Sequence, residues 1–152
     1  MLREQLSDSL KTAMKAKDQR KVSTLRLILA ALKDREIASR VDGEADNLSD
    51  GDILQMLTKM IRQRRDSIKM YEEGGRVDLA TQEQEEIAII EAFMPRQLSD
   101  AETQQAAEAV IAELGAGSLK DMGRTMAELR QRYAGQIDPG KVSSIVKALL
   151  SQ

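Results

Sequence analysis

Residues 99–115 read SDAETQQAAEAVIAELG. Ser99 and Glu102 stand at the S-x-x-E spacing of a capping box, in which hydroxyl and carboxylate each accept from an amide hydrogen that the first helical turn leaves unpaired. Val110, Ile111 and Leu114 follow on one helical face, and Gly115 supplies a stop. Ser118 and Asp121 repeat the device with Asp in place of Glu. From there the stripe Leu119, Met122, Met126, Leu129 and Tyr133 steps by three and four residues to Gly135. Asp138 caps a last helix with Pro139 at its first position, where the missing N–H costs nothing, and Val142, Ile145, Val146, Leu149 and Leu150 form its face. Three helices this short must bury their stripes against one another or a neighbour, which predicts a three-helix C-terminal unit over residues 95–152.

Upstream, the same grammar predicts four more helices over residues 1–94. The first runs from about Leu2 to Ala16, with Leu2, Leu6, Leu10, Ala13 and Met14 on one face. A second follows Asp18 to about Ser39. Its stripe of Val22, Leu25, Ile28, Leu29 and Leu32 is widened by Leu27, Ala30 and Ala31, the mark of a central helix. Arg40 to Leu48, with Gly43 and several acidic or amide residues, reads as a loop. Ser49 and Asp52 open a third helix carrying Ile53, Leu57, Met60, Ile61, Ile68 and Tyr71, ended by Gly74-Gly75. Asp78 is expected to cap a fourth, bearing Leu79, Ile87, Ala88, Ile90 and Phe93, stopped by Met94-Pro95. Strand-like alternation is absent, so the fold class is all-α: a four-helix unit followed by a small three-helix unit.

Composition narrows the function. The chain has 152 residues, 41% hydrophobic and 32% charged, with a formal net charge of −2. This balance can bury a core, and it carries no global positive excess to draw nucleic acid or an anionic membrane. There is no Cys and no His, so disulfides, thiolate metal sites, Ser-His and Cys-His pairs and His-metal sites are excluded. No apolar run approaches the length of a membrane span and the N-terminus turns polar at once, which gives the expectation of a cytoplasmic protein with no membrane contact. No cofactor motif is present.

Three charge features and one glycine stand out. Glu83, Glu85 and Glu86 are dense, but near neighbours diverge around a helix, and a solvated face is expected. Lys59, Arg62, Arg64, Arg65 and Lys69 could meet phosphates, yet Asp66, Glu72 and Glu73 sit among them, so an exposed face paired along its own helix is expected. Three aromatics, Tyr71, Phe93 and Tyr133, are too few for a base-stacking platform. Gly123 falls inside a strongly periodic helix, where Gly costs about 1 kcal/mol relative to Ala. Close packing within the bundle, or the backbone of a partner, would offset that cost. Around it, Arg124, Arg130, Arg132, Lys141 and Lys147 form a local set of cations.

The run Asp121-Met122-Gly123, Met126, Gly135, Asp138, Val142 and Val146-Lys147-x-Leu149-Leu150 resembles the tail domain of the B subunit of the tRNA-dependent amidotransferase. Leu25-Arg26-Leu27-Ile28, Lys33, Glu36-Ile37, Gly74-Gly75-Arg76, Asp78-Leu79, Glu86-Ile87 and Met94-Pro95 before Leu98-Ser99 are similar to the stand-alone YqeY family. The resemblance implies an all-helical, two-part protein related to a tail that helps engage tRNA during glutamine-dependent amidation. A tail fused to a glutaminyl-tRNA synthetase implies the same connection. The amidotransferase's kinase-like body and its companion amidase are both missing, so activity does not travel with the tail, and no catalytic residues are assigned.

Two function classes follow. One is an accessory module that binds tRNA, or an aminoacylation or amidotransferase complex, through Arg124, Arg130, Arg132, Lys141 and Lys147. The other is a protein-interaction module with Gly123, Met126, Gly135 and Asp138 marking a docking groove. An independent amide-transferring enzyme finds no chemistry in these residues.

Overall fold

The computed structural model describes residues 1–41 and 48–151. Among these are seven α-helices, one short 3₁₀ turn and no strand. Contacts divide the chain into Met1–Met94 and Pro95–Gln152.

The first unit holds α1 (Leu2–Ala16), α2 (Gln19–Val41), α3 (Asp50–Glu73) and α4 (Val77–Glu91). α1 stops at Lys17, whose left-handed backbone (φ 56°) turns its N–H onto the carbonyls of Ala13 and Met14. α3 starts where its capping box dictates: the Ser49 side chain accepts from the Asp52 N–H at 3.1 Å, and the Asp52 carboxylate accepts from the Ser49 N–H at 3.2 Å. α1 packs chiefly on α2, α3 on α4, and α2 on α4. Between them Leu6, Leu25, Ile28, Leu32, Ile53, Leu57, Ile87 and Ile90 are fully buried, each contributing about 1.5–3 kcal/mol against exposure.

This unit departs from the sequence expectations at three places. α2 continues through Arg40 and Val41, so the first two residues of the loop read over 40–48 are helical, and residues 42–47 lie outside the described residues. Asp78 does not cap α4. It lies in the first turn, paired with the N-cap residue Arg76 at 3.1 Å. Met14 and Leu27, placed with the apolar faces of α1 and α2, are about half exposed.

The second unit holds α5 (Asp100–Leu114), a 3₁₀ turn (Leu119–Asp121), α6 (Met122–Arg132) and α7 (Pro139–Leu150). Both halves of the Ser99–Glu102 box are formed, and Arg96 grips the Glu102 carboxylate with two nitrogens at 3.0 and 2.8 Å. That grip, with the Ser99 bonds, draws the carboxyl down to about 2. Gly115 closes α5 at φ 64°, the left-handed region that favours glycine. The core joins Val110, Met126, Leu129, Val142, Val146 and Leu150 to Ala106, Ala107 and Ile137. Ala106 and Ala107 are buried there, beyond the face of Val110, Ile111 and Leu114 expected of α5 from the sequence. The incoming segment is pinned by Leu98 N–H donating to the Gln136 carbonyl at 2.8 Å and by the Gln97 side-chain amide donating to the Gly135 carbonyl.

One boundary moves decisively. The stripe from Leu119 does not form one helix. The 3₁₀ turn is pinned by the Asp121 carboxylate, which accepts from the Gly117 and Ser118 N–H groups at 2.9 and 3.3 Å. α6 begins only at Met122, and Leu119 is half exposed.

Candidate nucleic-acid interface

Because α6 starts at Met122, Gly123 sits in its first turn, exposed, and a Cβ built there would meet nothing within 4 Å. Close packing in the bundle is therefore not what this glycine serves. Met126 is buried in the core, Gly135 takes φ 75° in the turn after α6, and Asp138 caps α7 by accepting from the Gly140 N–H at 2.9 Å. Those three residues build the unit, and Gly123 alone of the four presents open surface.

The five cations divide by their partners. Arg124 Nε meets the Asp121 carboxylate at 3.0 Å. Arg132 bridges Glu128 at 2.7 Å and Glu113, from α5, at 2.5 Å. Those two hydrogen bonds, Glu113's first, hold its guanidinium still more firmly charged, and Arg132 in turn lowers Glu113. Lys141 lies 3.9 Å from Asp100, both well exposed, a weak contact. Arg130 spends its Nε on the Met126 carbonyl at 3.3 Å, and among the described residues neither it nor Lys147 has a carboxylate within 4.0 Å. Both are exposed. Residues 95–152 carry seven Lys and Arg against seven Asp and Glu, so the unit has little net field, and Lys120, exposed like Arg130 and Lys147, also lacks a carboxylate within 4.0 Å among the described residues. Sequence reasoning missed the part played by Glu113 and Asp100, because their partners lie on other helices and no i, i+4 rule finds them.

The acidic and basic runs of the first unit meet at Arg64, which corrects part of each expectation: Lys59, Arg62, Arg65, Lys69 and Glu85 are exposed as expected, but Glu86 is buried and the ion pairs run between helices. Arg64 reaches from α3 to α4, with Nε 3.0 Å from Glu86 and 4.0 Å from Glu83, while its terminal nitrogen donates to the Met60 carbonyl at 3.2 Å. Glu86 is buried rather than solvated. Desolvation first, and Glu86 second, push Glu83 up from its ordinary value. Arg65 pairs with Glu91 at 3.3 Å and Arg20 with Glu85 at 3.1 Å, again across helices rather than along one. Among the described residues no group of three or more His, Cys, Asp or Glu is arranged to hold a metal, and no helix is long and apolar enough to cross a membrane.

A family model described as "Yqey-like protein" matches residues 3–150. Curated relatives include "Altered inheritance of mitochondria protein 41, mitochondrial" of Eremothecium gossypii, 43% identical over 89 residues covering 59% of this chain and 46% of that protein. The proteins of the same name from Vanderwaltozyma polyspora and Saccharomyces cerevisiae are 36% and 40% identical over the same length and shares. The matches thus span about half the length of the curated relatives. Those relatives are mitochondrial by name, which overturns the cytoplasmic expectation: the features behind it do not separate the two compartments.

Proposed function

The chain belongs to the YqeY-like family, and from that premise we propose that it is a helical accessory protein that acts by binding rather than by turnover. Its C-terminal unit makes weak, phosphate-directed contact with tRNA, alone or within an aminoacylation or amidotransferase complex. The observation that carries this reading is the pair Arg130 and Lys147, exposed and without carboxylate partners in a unit whose other proposed cations are engaged. The resemblance of the same segment to the amidotransferase tail supports it. So few free cations, Arg130 and Lys147 with Lys120 nearby in sequence, and a balanced charge make the contact weak, with a salt slope of only a few units, and the scarcity of aromatics directs it to backbone and shape rather than to unstacked bases.

Gly123 favours a second reading, a helical protein-interaction module. A glycine in an exposed first turn with open space above it lets another backbone approach closely. Titration of the full chain with deacylated tRNA at two salt concentrations separates the two, because phosphate binding imposes a salt slope that an apolar dock lacks. Under either reading the purified chain shows no glutaminase activity and no amide transfer to misacylated tRNA.

A further inference from the structure

Residues 11–26, KTAMKAKDQRKVSTLR, carry six Lys and Arg against one Asp, whereas the rest of the chain carries 17 against 24. No other stretch of that length has so large a positive excess. It forms the end of α1, the turn at Lys17 and Asp18, and the first turns of α2. The one acid, Asp18, accepts from the Lys21 N–H at 3.2 Å. Arg20 is taken by Glu85 of α4 at 3.1 Å. Among the described residues the other five cations, Lys11, Lys15, Lys17, Lys21 and Arg26, have no carboxylate within 4.0 Å. The basic run of α3 differs: Arg64 and Arg65 are held by acids of α4, and Asp66 lies between the unpaired Arg62 and Lys69.

Two observations give this corner a use. Lys17 and Arg26, nine residues apart, line one open depression of about 510 Å³, together with Gln19 and Ser23 over Val22 and Leu27. Lys17 is also the one described residue other than glycine at positive φ, 56°. Glycine takes that backbone without strain, as Gly75, Gly115 and Gly135 do elsewhere in the chain. Lys15, in the last turn of α1, already supplies the cation that favours a helix C-terminus. A lysine at this position is therefore there for its side chain. Two cations beside an amide and a hydroxyl are a donor set for phosphate and ribose oxygens. A bilayer surface needs a broad apolar face to bury, and this stretch exposes Met14 and Leu27, each by about half, with no aromatic.

We propose that the α1–α2 corner is a second RNA-contacting surface, with Lys17 and Arg26 meeting phosphates at the depression and Lys11, Lys15 and Lys21 adding to the local field. It rests on the RNA reading above but on other residues, in the other unit. The test is titration of the full chain with deacylated tRNA across salt concentrations, for wild type, Lys17→Gly/Arg26→Ser and Arg130→Ser/Lys147→Ser. The corner variant should bind several-fold more weakly, with a salt slope flatter by up to about two units. Lys17→Gly alone should keep wild-type stability in urea, because glycine suits the left-handed turn, while Lys17→Arg should retain binding. Unchanged affinity and slope in the corner variant overturn the proposal. If Arg130→Ser/Lys147→Ser still weakens binding in that case, the C-terminal reading stands alone. The reverse pattern supports the corner and contradicts the C-terminal reading, and a wild-type chain that binds no tRNA overturns both. Binding to phosphatidylserine vesicles or to poly-glutamate that the corner variant abolishes, with tRNA binding unmoved, overturns the proposal in favour of a lipid or an acidic peptide.

Discussion

Arg64 on α3 and Glu86 on α4 lie 3.0 Å apart with side chains only 13% and 9% exposed, and Glu83 completes the cluster from one turn earlier on α4. A guanidinium between two carboxylates at that depth ties α3 to α4 in register. Arg64→Met leaves the acids facing each other and should cost about 3 kcal/mol, the low end for a buried pair stripped of one partner. Urea denaturation measures it. Adding Glu83→Gln and Glu86→Gln to Arg64→Met should restore most of the stability, since an uncharged cluster needs no counter-ion.

Glu83 and Glu102 should respond to pH in opposite senses. Glu83 is raised in the fold, so its contribution favours the native state below the ordinary Glu value and is lost as pH rises through its folded value. Glu83→Gln is therefore more stable than wild type at neutral pH, and the gap closes in acid. Glu102, lowered to about 2 by Arg96 and the Ser99 bonds, stabilises above the ordinary value and loses that contribution as pH falls toward about 2. Glu102→Gln is destabilised at neutral pH, modestly because the group is exposed, and converges with wild type near pH 2. Thermal melts across pH 2 to 7 check both signs.

Gly123→Ala should stabilise the protein by up to about 1 kcal/mol, because the added methyl meets open space in a helical turn. A drop in stability would mean that the glycine is needed by the fold itself. A gain in stability accompanied by weaker partner binding would favour the interaction reading.

A fragment spanning residues 95–152 should fold alone, with marginal stability, since a unit of this size buries only about 60% of its unfolded surface. It has its own caps and core. Helical circular dichroism with a cooperative melt at low temperature is the expected result, and a coil spectrum would place the boundary elsewhere.

The helices were legible because their ends carry local chemistry. Ser49, Ser99, Asp138-Pro139 and Gly115 act on atoms within a turn of themselves, so the residues alone disclose them. The 3₁₀ turn before α6 was not legible, because capping spacing predicts a helix start without distinguishing three-residue from four-residue bonding, and Gly123 was misplaced with it. The exposed side of α2 escaped for a different reason. Hydrophobic width implies burial only when neighbours exist to cover every side, and Leu27 and Ile37 have none. Charges were the least readable. Arg64, Arg65 and Arg132 choose partners on neighbouring helices, where sequence spacing carries no information.

Binding of tRNA at varied salt, by the wild-type chain and by Arg130→Ser/Lys147→Ser, tests the RNA reading most directly. Wild type should bind deacylated tRNA weakly, with an affinity that falls linearly on a log scale with salt. The double variant should bind less tightly to every tRNA tried, with a slope flatter by up to about two units, roughly one for each cation that no longer meets a phosphate. An unchanged slope, or wild-type binding no stronger than that of an unrelated acidic helical protein, would contradict the claim that this unit reads RNA.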